Sequence, residues 1–227
     1  MKRPQAALFD RLAAGAALFT YPAESLCKLD ALADNKGRVL DAGCGDGTIA
    51  RALTADSVVG FDVSRRCAAL TRRKGVPAIV ADGTQALPFR SGVFDTVYCI
   101  DVLHHLEGKW EIVLSEFDRV LRRGGRLVVV EPDARNPYVR WTQAPGSPLR
   151  VAPFDNEPAI DPHALLPLLQ RLGYSAACTS IHIDGEQVER SVFPMWQRLA
   201  KAPFVYTLAF WCRSRPNKFA IVATKPG

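Results

Sequence analysis

Three closely spaced glycines and a preceding aspartate have the residue types and spacing of a ligand site. Residues 39–50 read Val-Leu-Asp-Ala-Gly-Cys-Gly-Asp-Gly-Thr-Ile-Ala, so the glycines alternate directly after an apolar run. Glycine lets the backbone turn tightly and approach a ligand without an intervening Cβ. The helix predicted next, over residues 48–55, would offer unpaired N–H groups and a partial positive charge at its start. The pattern predicts a site for a nucleotide-like or carboxylate-bearing ligand at the end of a strand.

Two further aspartates follow apolar runs that read as buried strands. Asp62 follows the run 57–61, and Asp82 follows the run 77–81. Because the carboxyl ends of parallel strands meet at one edge of a sheet, we expect Asp62 beside the glycine loop, where it can accept both hydroxyls of a ribose. Asp82 is placed to accept the exocyclic amine of an adenine. The alternative for a single aspartate after a strand is a turn-forming role.

The elements that would position these residues alternate between strand and helix. This alternation predicts an α/β fold with a doubly wound, mostly parallel sheet of seven strands. Ser64 has the chemistry of an N-cap for the third helix, and the run Arg122–Gly125 is predicted to stop the fourth. The predicted strands are 38–40, 57–61, 77–81, 94–100, 126–130, 176–183 and 219–224. The predicted helices are 23–33, 48–55, 65–74, 109–121 and 162–172.

Composition and charge limit the class of protein. The chain has 227 residues, 48% of them hydrophobic and 23% charged, which is typical of one globular domain. Its six cysteines form no Cys-x-x-Cys pair and no histidine cluster has zinc-site spacing, so no metal is expected. The start of the chain lacks the apolar core of a signal peptide, which favours the cytoplasm. After Glu189 seven basic residues stand with no acidic one, which favours an anionic surface or substrate, or serves solubility alone.

Six motifs follow one another over roughly residues 37–131. They are Asp41-Ala-Gly-Cys-Gly-Asp-Gly, Gly60-Phe-Asp62, Ala81-Asp82-Gly with Leu87-Pro-Phe, Phe94-Asp-Thr-Val, Val102-Leu-His-His-Leu and Leu121-Arg-Arg-Gly-Gly-Arg-Leu. In this order they resemble the class I S-adenosylmethionine (SAM)-dependent methyltransferases, most of all the small-molecule branch typified by ubiquinone and menaquinone biosynthesis enzymes. The third glycine of the first motif stands one residue too early for the dinucleotide fingerprint, which disfavours a nicotinamide dehydrogenase.

The resemblance implies which residues hold the cofactor SAM and its product S-adenosylhomocysteine. Four residues of the glycine loop would hold the methionine part. Three others would contact the ribose and adenine beside Asp62, which would bind the ribose hydroxyls. The loop residues are Asp41, Gly43, Cys44 and Gly45. The residues around the adenine are Val63, Asp82 and Gly83, while Ile100 and His105 would line the pocket near the sulfonium.

Methyl transfer to oxygen or nitrogen can require a general base, and histidine titrates in the useful range. The leading candidates are His104, His105 and Glu131, which follow the predicted fourth and fifth strands. One of the two histidines has the alternative of packing against SAM or orienting it. Asp133 is a further candidate near the same edge, whereas His163 and His182 have weaker support and are more readily explained by structural roles.

The resemblance and the composition predict one methyltransferase domain, 1–227, with a SAM-binding centre and variable flanks. The predicted parts are an N-terminal helical cover at 1–36, a SAM-binding core at 37–131, and substrate-side segments at 132–160 and 185–217. Tryptophan and basic residues in 190–218 suit peripheral membrane contact at the inner face or a lipid-like substrate. Packing of the same apolar residues into the core is the alternative.

Three functions fit these observations. The first is a cytoplasmic SAM-dependent methyltransferase acting on an apolar or lipid-linked small molecule, as the aromatics of the variable segments indicate. The second is an rRNA or tRNA methyltransferase, suggested by the pI near 9.1. It is less favoured because no Asn-Pro-Pro-Tyr-type signature follows the fourth strand. The third is a non-catalytic regulatory protein that binds SAM.

Overall fold

A computed structural model describes residues 6–7, 9–10, 13, 19–33, 37–144, 158–184, 186–187 and 216–227. The strands are β1 (Phe19–Thr20), β2 (Arg38–Ala42), β3 (Ser57–Asp62), β4 (Ala78–Val80), β5 (Phe94–Ile100), β6 (Leu121–Pro132), β7 (Ser175–Ile181), β8 (Glu186–Gln187) and β9 (Lys218–Thr224). The helices are α1 (Ala23–Asp30), α2 (Thr48–Ala52), α3 (Arg65–Arg73), α4 (Trp110–Val120), α5 (Pro137–Gln143) and α6 (Pro162–Arg171), with a 3₁₀ turn at Leu103–His105.

Seven strands form the predicted doubly wound sheet, in the order β4-β3-β2-β5-β6-β9-β7. Neighbours from β4 to β6 pair in parallel, whereas β9 pairs antiparallel with both β6 and β7. The fold prediction is therefore confirmed. The strand order turns back between β2 and β5, so the carboxyl ends of these two strands flank a crevice where ligands bind in open α/β sheets.

The two faces of the sheet bury separate apolar clusters because side chains alternate along each strand. On one face Val97 and Cys99 of β5 belong to a cluster with Phe117 of α4. On the other face Tyr98 and Ile100 belong to a cluster with Leu29, Val39 and Val128. Burial on both faces explains why the central strands read as continuous apolar runs. It also makes the sheet a rigid support for the loops at its carboxyl edge.

The local signals that begin α3 and α6 act as predicted. Ser64 caps α3 by accepting a hydrogen bond from the N–H of Cys67 at 3.1 Å. The side chain of Asp161 accepts from the N–H of His163 at 3.0 Å, and Pro162 occupies the first turn. In both cases a short polar side chain satisfies a backbone donor that the helix itself leaves unpaired.

Several predicted boundaries are wrong, including the end of the first predicted helix, which lies at Asp30 rather than at residue 33. Helix α2 ends at Ala52 rather than at residue 55, since Leu53 already has an extended backbone. The run Arg122–Gly125 does not separate helix from strand, because β6 begins directly at Leu121. The C-terminal residues pair with this run: the N–H of Lys225 donates to the Gly125 carbonyl at 2.9 Å, and the N–H of Gly124 donates to the Lys225 carbonyl at 3.2 Å.

The last two strands of the sheet pair antiparallel although a long segment separates them in sequence. Ile181 of β7 lies opposite Lys218 of β9. Just beyond them, Asn217 clamps Ile183, accepting from its N–H at 3.0 Å and donating to its carbonyl at 2.8 Å. The side chain of Asn217 thus joins the residues that precede β9 to those that follow β7.

The N-terminal residues contact the carboxyl edge of the sheet. Residues 6–7 and 9–10 are helical, and a carboxylate oxygen of Asp10 accepts from the Ser64 hydroxyl at 2.6 Å and from the Arg66 N–H at 3.1 Å. The predicted N-terminal cover is not wholly helical, because β1 pairs antiparallel with β8.

The variable segments are described only in part. Residues 145–157 and 188–215 lie outside the described residues, so the membrane contact predicted for 190–218 remains a prediction. Within the described part of the chain, no helix is long and apolar enough to cross a membrane.

Candidate cofactor site and active site

The glycine loop directly after β2 forms the floor of the crevice. The N–H groups of Gly43 and Cys44 both donate to the Phe61 carbonyl at 2.9 Å, which ties the loop to β3. A Cβ on Gly43 would lie 2.4 Å from the side chain of Val102, and φ at Gly43 is +73°. Only glycine fits such a position. The loop is therefore packed closely against the residues that follow β5.

Asp62 lies at the carboxyl end of β3 and faces this loop, as predicted. Its two carboxylate oxygens accept from the N–H of Gly45 at 3.0 Å and the N–H of Ser64 at 2.8 Å. Burial raises the pKa of Asp62 to about 6, although the two backbone donors oppose this shift. Val63 follows it and is half-buried. The position suits a carboxylate that accepts two vicinal hydroxyls.

Asp41 contributes a second buried carboxylate at the end of β2. It is 2% exposed, and its Oδ2 atom has no hydrogen-bond partner among the described residues. Burial, and then the charge of Asp62, raises the pKa of Asp41 to about 7. An unpartnered buried carboxylate is costly, and an ammonium group would satisfy it. The methionine part of SAM carries such a group, so these residues fit the cofactor.

Asp82 and Gly83 follow β4 on the far side of β3. One carboxylate oxygen of Asp82 accepts from the N–H of Thr84 at 2.9 Å and from its hydroxyl at 2.8 Å, which is the turn-forming role considered above. A Cβ on Gly83 would lie 3.5 Å from the ring of Phe61. Ile100, by contrast, is packed in the apolar cluster that includes Tyr98.

A buried acid–imidazole pair lies at the ends of β5 and β6. Glu131 is 0% exposed, and its Oε2 atom lies 2.6 Å from Nδ1 of His104. Its other oxygen accepts from the N–H of Val102 at 2.8 Å and the N–H of Leu103 at 2.6 Å. The sequence predicted both residues as candidates, and the structure brings them into direct contact.

His105, the other candidate histidine, lies beside this pair. Its ring is 3.9 Å from the ring of His104, centroid to centroid, and 5.2 Å from the ring of Phe9 in an edge-on arrangement. The N-terminal segment therefore touches the same edge of the sheet. The other predicted candidates lie elsewhere: Asp133 pairs with Arg135 at 2.8 Å, His163 is exposed on α6, and His182 lies 3.1 Å from Asp184.

Three residues that sequence analysis did not select complete the polar cluster. Asp101, directly after β5, forms an ion pair with Lys218 at the start of β9 and accepts from the Tyr21 hydroxyl at 3.3 Å. Burial would raise the pKa of Asp101, but Lys218 and His104 outweigh it, so the pKa lies below the ordinary value. Asp101 also has φ of +56°, a strained conformation for a residue other than glycine. Its position after a strand, like that of Asp62, was an available signal.

Asp101, His104 and Glu131 place candidate metal-ligating atoms within 4.8 Å of one another. The carboxylates are already engaged, however, by backbone N–H groups at Glu131 and by the Lys218 ammonium at Asp101. A cation here would be repelled by that ammonium. The arrangement is better suited to moving a proton than to holding a metal ion.

Comparison with known proteins shows which proteins this chain is similar to. Residues 40–129 match the family model described as a methyltransferase domain. Phosphoethanolamine N-methyltransferase 2 of Haemonchus contortus, solved in complex with SAM, superposes with a TM-score of 0.63 at 16% identity, covering 90% of this chain and 52% of that one. With the seven-stranded topology, these findings show that the chain has the fold of solved SAM-dependent methyltransferases and that residues 40–129 are similar to a methyltransferase domain.

Curated relatives differ in their acceptors. A tRNA (carboxymethyluridine(34)-5-O)-methyltransferase of Arabidopsis thaliana is 29% identical over 136 residues, covering 53% of this chain and 33% of the relative. A 27-O-demethylrifamycin SV methyltransferase of Amycolatopsis mediterranei is 33% identical over 102 residues, covering 40% of this chain and 37% of the relative. The matches thus span well under half of the length of these relatives. The ubiquinone-like branch is not singled out by these comparisons.

Proposed function

We propose that the protein transfers a methyl group from SAM to a small, apolar or lipid-linked acceptor. The observation that carries the proposal is the pair of buried carboxylates, Asp41 and Asp62, on either side of the glycine loop. Asp62 is placed for ribose hydroxyls, and Asp41 keeps a buried oxygen without a partner among the described residues. A hydroxyl-bearing sugar and an ammonium group, both present in SAM, would complete this polar surface.

The apolar or lipid-linked character of the acceptor rests on the variable segments. The sequences of these segments contain several tryptophans and phenylalanines, a composition suited to binding such a molecule. A relative that acts on a demethylrifamycin supports a small-molecule acceptor. Bound SAM would supply an electrophilic methyl group on a positively charged sulfur. The protein's main tasks are then to align the acceptor and to exclude water.

Cofactor binding is the first test of this proposal. Calorimetry on the purified protein should detect SAM and S-adenosylhomocysteine but not NAD. Asp62→Ala should weaken SAM binding about 10- to 100-fold, since hydrogen bonds to a charged group contribute about 1.5–3 kcal/mol. Asp56→Ala is a matched control, because Asp56 is exposed and directly precedes the amino end of the same strand. Equal binding by Asp62→Ala and the wild-type protein would refute the cofactor assignment.

Methyl transfer to tRNA is the second candidate. It is favoured by the Arabidopsis relative and by α3, which carries four arginines, all exposed: Arg65, Arg66, Arg72 and Arg73. Binding through phosphates weakens steeply as salt rises, whereas binding of a neutral lipid does not. Labelled-methyl incorporation into total tRNA and into lipid extracts, each at low and high salt, separates the two. Incorporation into tRNA alone would overturn the small-molecule proposal.

A further inference from the structure

We infer that His104 is the general base of the reaction, that Glu131 positions it, and that the acceptor atom is a hydroxyl oxygen. The inference rests on the proposed methyltransferase function and goes beyond it by naming the acceptor group and the path of its proton. It is carried by the hydrogen bonds of Glu131 and by the place of His104 relative to the glycine loop.

Glu131 is completely buried, and both of its carboxyl oxygens have polar partners. Its Oε1 atom accepts two backbone N–H groups, from Val102 and Leu103, at 2.8 and 2.6 Å. Hydrogen bonds of this kind stabilise the charged form of a carboxyl group. The Oε2 atom is then left facing Nδ1 of His104 at 2.6 Å. A buried charge kept in this way, rather than replaced by an apolar side chain, indicates a role other than stability.

The charge on Glu131 decides which nitrogen of His104 bears the proton. An ionised carboxylate can only accept hydrogen bonds, so Nδ1 must donate. In the neutral imidazole this leaves the lone pair on Nε2, which is the atom able to take up a proton. When Nε2 becomes protonated, the resulting positive charge lies directly beside the Glu131 carboxylate. Glu131 therefore fixes both the ring orientation and the tautomer, as acids bonded to a catalytic histidine do elsewhere.

The pair is connected to the cofactor loop by direct packing. Val102, whose N–H binds Glu131, has its side chain so close to Gly43 that an added Cβ would lie 2.4 Å away. His104 follows two residues later in the same turn. The turn that carries the predicted base thus begins at a residue packed against the loop assigned to the methionine part of SAM.

A hydroxyl acceptor explains why such a base is needed. An alcohol or weakly acidic phenol is almost entirely protonated near neutral pH, so its oxygen becomes an effective nucleophile only as the proton leaves. The acceptor's O–H bond breaks and its proton moves to Nε2 of His104. The oxygen forms the new O–CH₃ bond, and the electron pair of the broken S–CH₃ bond stays on sulfur. The products are the methyl ether, neutral S-adenosylhomocysteine and a protonated His104, which then loses its proton to water.

Other charged groups around His104 influence its titration. Glu131 on β6 and Asp101 after β5 favour its protonated form, while His105 and Lys218 carry or can acquire positive charge. Asp101 is paired with Lys218 and hydrogen-bonded by Tyr21, so it is less suited to act as the base itself. Glu131 is the carboxylate in direct contact with the imidazole.

Nuclear magnetic resonance can test the tautomer without any acceptor. The full chain would be labelled with ¹⁵N-histidine and saturated with S-adenosylhomocysteine; the sequence has four histidines, and His104→Gln assigns the signal. We expect Nδ1 to carry the proton in neutral His104. Glu131→Gln should lower the pKa of His104 by about one unit or more, because the neighbouring negative charge is lost. Glu107→Gln, which changes an exposed glutamate, should leave it unchanged. A proton on Nε2 in the neutral wild-type protein would overturn the inference.

A series of phenol acceptors tests the chemistry. His104→Gln, which keeps Glu131 and its two backbone bonds, should lose about 10²- to 10⁴-fold in turnover of weakly acidic alkylphenols. It should lose far less with nitrophenols, which are largely ionised before they bind. Calorimetry should show unchanged SAM binding. Equal losses on all phenols, or methylation of amine probes with no hydroxyl probe methylated, would overturn the inference. Failure of the wild-type protein to bind SAM would instead overturn the proposed function.

Discussion

Replacing Asp41 with asparagine should stabilise the protein and weaken its cofactor binding at the same time. Asp41 is buried, and its pKa rises from an ordinary 3.8 to about 7 on folding. Because the folded-state pKa is the higher one, the folded protein binds more protons than the unfolded chain between these two values. Its stability therefore rises as pH falls through this window, and the cost of the buried charge is fully present only above pH 7.

The size of this cost follows from the shift. A difference of about 3 pKa units corresponds to roughly 4 kcal/mol at pH 8 and falls to about 2 kcal/mol at pH 5. Asparagine has nearly the same shape but cannot ionise, so Asp41→Asn should exceed the wild-type protein in free energy of unfolding by up to these amounts.

Urea unfolding at pH 5, 6, 7 and 8, without cofactor, measures the difference. Asp56→Asn is the control, because Asp56 is exposed at the opposite end of β3 from Asp62. SAM binding by Asp41→Asn should fall by at least about tenfold, since a charge-assisted hydrogen bond to its ammonium group is lost. A general folding defect would lower both the free energy of unfolding and the affinity for SAM. A stability difference that does not change with pH, or a variant less stable at pH 8 that still binds SAM, would refute the reasoning.

Two further predictions concern packing and charge in the same region. Gly60→Ala would place a Cβ 2.7 Å from both Cβ and Sγ of Cys44, so it should cost about 1–3 kcal/mol in urea unfolding and weaken SAM binding by displacing the loop. Gly83→Ala, whose Cβ would keep ordinary contacts of 3.5 Å, should leave stability nearly unchanged. Lys218→Met should cost about 3–5 kcal/mol because it leaves the Asp101 charge unpaired, and adding Asp101→Asn should restore part of the loss. A double variant no more stable than Lys218→Met alone would contradict that assignment.

The parts of the site that depend on short-range patterns could be predicted from sequence. The glycine loop, Asp62 and the Ser64 cap each depend on a few consecutive residues and on the rule that ligands bind at the carboxyl ends of parallel strands. The end of helix α2 could not be predicted in this way, because no glycine or proline marks it in the sequence. The strand at 122–125 depends on pairing with Lys225, about a hundred residues further on.

The Asp101–Lys218 ion pair shows the same difficulty within the site itself. It joins residues 117 positions apart, and Lys218 stands at the start of a strand with no local motif to mark it. Tyr21, which donates to the same carboxylate, comes from the N-terminal segment. Such contacts form only when β9 and the N-terminal segment pack against the residues that follow β5. No periodicity or spacing in a single sequence encodes them.

The energetic costs of this fold are concentrated where the motifs place the site. Asp41 and Asp62 have raised pKa values because burial opposes their charge, and Asp101 adopts a left-handed backbone conformation. Glu131 is completely buried and accepts hydrogen bonds from two backbone N–H groups. Apolar residues at these positions would cost less, yet all four lie at the carboxyl ends of the adjacent strands β2, β3, β5 and β6. Buried carboxylates and a strained backbone both lower the stability of the fold, and packing requires neither of them. Their concentration at one edge of the sheet is expected of a functional site. These unfavourable features indicate the same location for the functional site as the glycine loop does.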